Sequence, residues 1–216
     1  MIPVKICGIC CLEDALCASQ CGAAAVGFIF YPPSVRYIGP RDAVRIINKL
    51  PKTLVRVGVF VNEEIILVRK IFEECGLDML QFHGDETPGY CAHFPEKHVV
   101  KALELKTEDD LQKAGRYAVA AILADSRSDG LYGGTGKTSN WNLAGKVTQP
   151  LVLSGGLNEN NVLEALFKVR PAALDINSGV ESAPGRKDPE KIKRMMQIIQ
   201  NHDSGVQTPH VFQRRG

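Results

Sequence analysis

Short apolar runs alternate with longer amphipathic stretches from one end of the chain to the other. Residues 4–7, 25–30, 54–61, 79–82, 99–103, 120–125, 151–154 and 172–176 are apolar, often β-branched, and bounded by turn residues, which is the pattern of buried strands. The stretches between them carry helical spacing and helix punctuation. Residues 12–21 form the first. Residues 41–50 follow Pro40, 63–75 stop at Gly76, and 86–94 carry Pro88 and Gly89 in their first turn. Residues 107–115 open on a Thr-x-x-Asp capping pattern, and 141–146, 158–168 and 188–200 complete the set. The pattern predicts eight strand-then-helix units. Parallel strands require such crossovers, and eight units suit a closed ring better than an open doubly wound sheet. The expectation is a single-domain α/β protein, a (β/α)8 TIM barrel over residues 1–200. Residues 201–216 are polar and aperiodic and read as a flexible C-terminal tail.

Composition narrows the class without changing this picture. A chain of 216 residues lies at the lower end of the size of such barrels. Apolar content of 44% and charged content of 23% are ordinary for a soluble enzyme. A formal charge of +2 gives no reason to expect nucleic acid or an acidic membrane surface as partner. No signal peptide is read at the start, and no apolar run is long enough to span a membrane. Seven cysteines, five of them before residue 22, do not form a disulfide framework; reduced thiols in the cytoplasm are expected.

In a barrel, alternate strand residues face the interior, and the chemistry sits in the loops after the strands. If Cys7 faces inward, so does Lys5, with Val4 and Ile6 facing the helices. A lysine there needs a buried carboxylate partner. The same alternation turns Asp125 and Asp175 inward at the ends of their strands. For Cys7 the commoner role is that of a small buried hydrophobe, but its position at a strand end also suits a nucleophile or base. Ser154-Gly155-Gly156 follows the seventh strand and Asn177-Ser178-Gly179 the eighth. Glycines let backbone N–H groups approach a phosphate, and these two loops are the common phosphate site of the fold. His83, at the end of the fourth strand, suits either a pocket wall or a structural role. Arg36, after the second strand, carries a guanidinium suited to a carboxylate, although such arginines are more often solvated. Trp141 reads as helix packing.

Two motifs invite other chemistry and do not fit it. Gly133-Gly134-Thr135-Gly136-Lys137-Thr138 resembles the end of a nucleotide-binding P-loop, but Leu131 stands where its first glycine is required. It reads instead as a loop that closes over a substrate. Cys7-Gly8-Ile9-Cys10 has redox spacing in the wrong context, and no histidine has ligand spacing with these cysteines for zinc.

Several ordered motifs together resemble the phosphoribosylanthranilate isomerase family. They are Val4-Lys5-Ile6-Cys7-Gly8, Gly27-Phe28-Ile29-Phe30-Tyr31 with Ser34-x-Arg36-Tyr37, and Val57-Gly58-Val59-Phe60-Val61-Asn62. Gln81-Phe82-His83-Gly84, the 133–137 loop, Leu153-Ser154-Gly155-Gly156-Leu157-Asn158 and Asp175-x-Asn177-Ser178-Gly179-Val180-Glu181 continue the match over roughly residues 3–200. The resemblance implies an isomerase of tryptophan biosynthesis that performs an Amadori rearrangement on N-(5-phosphoribosyl)anthranilate. It implies Cys7 as general base and Asp125 as general acid. Arg36 is then expected at the anthranilate carboxylate, His83 and Asp175 at the substrate, and Gly155, Gly156, Ser178 and Gly179 at the phosphate. No metal or organic cofactor is implied, and the expected partner is the small-molecule substrate, with the protein a monomer or homodimer. A thiolate base calls for a lowered Cys7 pKa, from Lys5 or a helix amino end, and an acid calls for a raised Asp125 pKa. The chain departs from the family pattern at Asn177, usually serine, at Ser139-Asn140, usually Phe-Asp, and at Cys10-Cys11, often Thr-Asn. Two alternatives stay open: another aminoaldose-phosphate isomerase of this fold, and a catalytically silent phosphate-binding barrel. If Cys10 or Cys11 approaches Cys7, oxidation would cap the base as a disulfide.

Overall fold

The computed structural model describes residues 1–125, 140–202 and 211–215. Eight parallel strands close into one barrel in sequence order: β1 (Val4–Cys7), β2 (Ala25–Ile29), β3 (Val55–Phe60), β4 (Met79–Phe82), β5 (Val99–Glu104), β6 (Ala121–Asp125), β7 (Leu151–Leu153) and β8 (Ala173–Ile176). The ring is closed by β1 pairing with β8, where Lys5 stands opposite Asp175. Between the strands run helices α1 (Leu12–Gln20), α2 (Pro40–Ile47), α3 (Ile65–Glu74), α4 (Pro88–Cys91), α5 (Glu108–Ala114), α6 (Trp141–Ala144) and α7 (Val162–Val169), and α8 (Pro189–Asn201) follows the last strand. The expected fold class is the observed one. No helix among the described residues is long and apolar enough to cross a membrane.

The apolar residues divide as the strand period requires. Val4, Ile6, Val26 and Phe28 belong to the cluster that also holds the helix residues Ala15, Ile46, Val68 and Met195. Ala25, Val57, Met79, Val100, Ala121, Val152 and Ala173 form a second cluster. These stand early in their strands and on the other face, so they fill the barrel near its amino end.

Three details differ from the sequence expectations. The helix expected over 158–168 begins only at Val162, because the asparagines fold into a turn first: Asn161 Oδ1 accepts from Asn158 N at 2.8 Å and Asn158 Oδ1 from Asn160 N at 2.9 Å. A two-stranded hairpin, β9 (Glu181–Ala183) with β10 (Arg186–Lys187), precedes α8 and was too short to leave a periodic signal. The end of the chain is not all free tail. Val211 is buried in the second apolar cluster, beside residues from the strand starts. Arg215 donates its backbone N–H to Asp78 at 3.1 Å and lies over the Phe72 ring. The 133–138 loop expected to close over a substrate lies outside the described residues, as do the rest of 126–139, 203–210 and 216.

Candidate active site

A cleft open to solvent lies at the carboxyl ends of the strands. It is lined by all nine site residues expected from the sequence: Cys7, Arg36, His83, Asp125, Gly155, Gly156, Asp175, Ser178 and Gly179. Each comes from the last residue of a strand or the loop just after it, except Asp175, which stands one residue before the end of β8. Cys7 ends β1 and Asp125 ends β6; on the shorter way round the barrel only β7 and β8 lie between them. The two glycine turns follow those strands. Gly155 and Gly156 have positive φ (88° and 61°), a conformation that side chains resist. A Cβ on Gly179 would collide with the Leu157 carbonyl, so the two turns are packed against each other.

Cys7 sits on a buried ion pair. Lys5 Nζ is 2.6 Å from Asp175 Oδ2, with the side chains 1% and 4% exposed. The carboxylate partner expected for Lys5 is therefore Asp175. The contact is one of charge rather than of aligned donor and acceptor: Lys5 Nζ and Asp175 Oδ1 have no directed hydrogen-bond partner among the described residues. Gly27 makes room for both side chains, since a Cβ there would come within 2.7 Å of Cys7 Sγ and 3.0 Å of Lys5 Cε. Burial pulls the Lys5 pKa down, but Asp175 and Cys7 together outweigh it and the net shift is upward. The expected lowering of the Cys7 pKa is not found. Burial, reinforced by the Asp175 charge, pushes the thiol up, and Lys5 and Lys187 only partly offset this. The free protein therefore holds Cys7 as a thiol at neutral pH. All seven cysteines are free, and Cys10 Sγ donates instead to the carbonyls of Gly8 and Arg36, each at 3.6 Å.

Asp125 faces a relay. His83 Nε2 is 2.9 Å from Asp125 Oδ2, and His83 Nδ1 is 2.8 Å from the Gln81 side-chain amide. Two proton arrangements satisfy this chain. In one, the amide N–H donates to Nδ1 and Nε2–H donates to an ionised Asp125. In the other, the amide is turned over and accepts from Nδ1–H, while Nε2 accepts from a protonated Asp125. Only the second stores a proton on Asp125. The loop that carries His83 is braced from below. Lys101 Nζ donates to the Phe82 and Gly84 carbonyls at 3.2 and 2.8 Å and to Glu86 at 2.9 Å. Glu86 in turn accepts from the Asn62 N–H at 2.8 Å and the Gly84 N–H at 2.9 Å.

Arg36 is neither solvated nor unpaired. Its Nε and Nη2 donate to the two oxygens of Glu181 at 2.8 and 2.7 Å. Lys187 Nζ reaches Glu181 at 2.9 Å and the Asn177 side-chain and backbone oxygens at 2.8 and 3.1 Å. Burial alone would raise the Glu181 pKa, but Arg36 and Lys187 outweigh it and hold the carboxylate ionised. Gln81, Glu181 and Lys187 were not singled out from the sequence. Gln81 carried a signal that was available, since it shares the inward face of β4 with His83.

Residues 4–198 match the family described as N-(5'phosphoribosyl)anthranilate (PRA) isomerase. The chain belongs to this family. An N-(5'-phosphoribosyl)anthranilate isomerase of Syntrophus aciditrophicus is 48% identical over 204 residues, covering 94% of this chain and 89% of the relative. The crystal structure of phosphoribosyl anthranilate isomerase from Thermotoga maritima superposes with a TM-score of 0.85 at 42% identity, covering 93% of this chain and 100% of that one. A phosphoribosyl anthranilate isomerase solved with reduced 1-(o-carboxyphenylamino)-1-deoxyribulose 5-phosphate gives a TM-score of 0.82 at 41% identity, with the same coverage.

The departures from the family pattern now have local consequences. Asn140 caps α6, its side-chain oxygen accepting from Leu143 N at 3.3 Å, so this departure leaves the start of the helix capped. Asn177 supplies a side-chain oxygen to Lys187 from within the loop after β8. Cys11 stands at the N-cap of α1 with extended backbone and makes no side-chain capping hydrogen bond.

Proposed function

We propose that the chain converts N-(5-phosphoribosyl)anthranilate to 1-(2-carboxyphenylamino)-1-deoxyribulose 5-phosphate, with Asp125 as general acid and Cys7 as general base. Family membership makes it an isomerase of tryptophan biosynthesis. The observation that carries the residue assignment is the placement of Cys7 and Asp125 in one cleft, with the two glycine turns on the strands between them.

The phosphate would be held by N–H groups of the turns at Gly155-Gly156 and Ser178-Gly179. Arg36 would meet the anthranilate carboxylate, and Asp175, whose Oδ1 has no hydrogen-bond partner among the described residues, would accept from a sugar hydroxyl. Asp125 gives its proton to the ring oxygen as the C1′–O bond breaks, leaving a C1′=N iminium. Cys7 as thiolate takes the proton from C2′, and the electron pair of that bond forms the enolamine C1′=C2′ as the iminium nitrogen is neutralised. Tautomerisation moves the C2′ hydroxyl proton to C1′ and yields the ketone. The enzyme then carries an extra proton on Cys7 and lacks one on Asp125. The cycle closes when Cys7 releases its proton to solvent and Asp125 takes one up from solvent, while Gln81 holds the His83 ring against Asp125. Lys5 supplies the counter-charge when Cys7 ionises, which makes a thiol of raised pKa usable as a base.

The cleft is built from one chain, so the reading holds for a monomer or a homodimer, in a cytoplasm that keeps the thiols reduced. The test is the loss of anthranilate-type fluorescence when reduced protein meets phosphoribosylanthranilate. Turnover is expected, and Cys7→Ala and Asp125→Asn should each lower the rate on the order of 10²–10⁴-fold. No turnover above background would favour the silent phosphate-binding barrel, and activity retained in either variant would remove that residue from its role.

A further inference from the structure

The geometry points to Glu181 as a positioning residue for Arg36, holding the guanidinium so that a free edge faces the carboxylate of the substrate and tying it through Lys187 to the phosphate loop. This rests on the assignment of Arg36 made above. A guanidinium has five N–H donors in one plane. Glu181 takes those on the side of Nε and Nη2. The Nη1 edge and the outer Nη2 proton stay available to a second carboxylate, which Arg36 can then bind without releasing the first.

Glu181 is itself fixed from several directions. It pairs with Lys187 across the β9–β10 hairpin and bonds the Lys187 ammonium at 2.9 Å. Its carbonyl accepts from Lys191 Nζ at 2.7 Å, and the Lys187 N–H donates to Asp14 at 3.0 Å. The same Lys187 ammonium takes the Asn177 side-chain oxygen, and Asn177 lines the cleft beside Ser178 and Gly179. A Cβ on Gly8 would lie 2.8 Å from both Arg36 Cδ and Asn177 Oδ1, so the network packs directly on the loop that follows Cys7. One carboxylate thus links the two ends of a substrate that is anionic at both.

A purely structural role for Glu181 predicts equal damage to every ligand; a positioning role predicts damage only where a ligand carboxylate is present. The probes are reduced 1-(o-carboxyphenylamino)-1-deoxyribulose 5-phosphate and its phenylamino counterpart without the carboxyl group. Their Kd values are measured by calorimetry on the full chain carrying Glu181→Gln, with Arg36→Met as reference. The carboxylated ligand is expected to weaken about 10- to 100-fold, the cost of disturbing a charged hydrogen-bonding site. The phenylamino ligand should stay within about 3-fold on the same reasoning. In turnover the loss should fall on KM more than on kcat. If Glu181→Gln does not fold, Glu181→Asp, too short for the bidentate contact, carries the same expectation. Equal weakening of both ligands, or tighter binding of the carboxylated one, overturns the inference. A loss of preference in Arg36→Met that Glu181→Gln does not share overturns it alone. A parent protein that does not distinguish the two ligands overturns the Arg36 assignment and this inference with it.

Discussion

Asp175→Asn keeps a side chain's shape and removes one charge from a pair that is 1% and 4% exposed. Lys5 is left with two ways out. Losing its proton costs about 4.6 kcal/mol at pH 7, taking an ordinary lysine pKa of about 10.4 and about 1.36 kcal/mol per unit. Ionising Cys7 instead costs about 2 kcal/mol, from a thiol pKa of about 8.5, and sets a thiolate beside the ammonium. The second route is cheaper, so the variant should fold with a thiolate–ammonium pair at Cys7 and Lys5. The expected loss of stability at pH 7 is about 2–5 kcal/mol, spanning that route and the usual cost of breaking a buried pair. The pH dependence has a definite sign. A thiolate at Cys7 at pH 7 requires that Lys5, freed from Asp175, outweigh burial and bring the folded Cys7 pKa below the unfolded one, so its contribution is full above the unfolded thiol pKa and is lost as pH falls through the folded value. In the parent, burial and Asp175 push the thiol up, so its contribution fades as pH rises past the ordinary thiol value. The gap between the two proteins should therefore narrow from pH 7 to pH 9. Urea denaturation at both pH values measures it, and alkylation of the Cys7 peptide, followed by mass spectrometry, reports the thiolate directly. A gap below about 1 kcal/mol at pH 7, far under the cost of a broken buried pair, or one that widens at pH 9, would refute the reasoning. So would an unchanged alkylation profile.

Other expectations follow from the same contacts. Cys11→Asn supplies a capping oxygen to α1 and should add about 1 kcal/mol, read as a rise of about 2–4 °C in Tm, with activity unchanged. Lys101→Met strands Glu86, which is 1% exposed, and should cost about 3–5 kcal/mol in denaturant unfolding; it should also lower kcat by loosening the loop that carries His83. A chain ending at His202 loses the buried Val211 and should unfold a few degrees lower, since a buried valine is worth about 1.5–3 kcal/mol before the cost of ordering the segment. Its kcat/KM should be unchanged, because Val211 packs beside the strand starts, away from the cleft.

The strand–helix repeat and the inward turn of Lys5, Cys7, Asp125 and Asp175 were legible because both are local. A strand's period of two and a helix's period near 3.6 are properties of neighbouring residues, and strand ends in a parallel barrel all emerge on one side. The Asn140 cap was not read from the sequence, where Asn140 stood only as a departure from the family pattern. What else was missed depends on residues far apart in the chain. Arg36 and Glu181 are separated by 145 positions, and nothing near either names the other. Val211 follows aperiodic residues, and only the small side chains at the amino end of the barrel explain its burial.

The sequence by itself determined the barrel, its active face and the residue types on that face, since hydrophobic period and the direction of parallel strands follow from the order of residues alone. Only the tertiary structure decided the electrostatic state of those residues. The Cys7 thiol is raised rather than lowered because desolvation and the Asp175 charge act through space and together exceed the pull of Lys5. Arg36 is a paired, oriented cation rather than a solvated one because the β9–β10 hairpin brings Glu181 to it. Charge and dielectric at a site are sums over everything nearby, and what is nearby is settled by the closing of the ring.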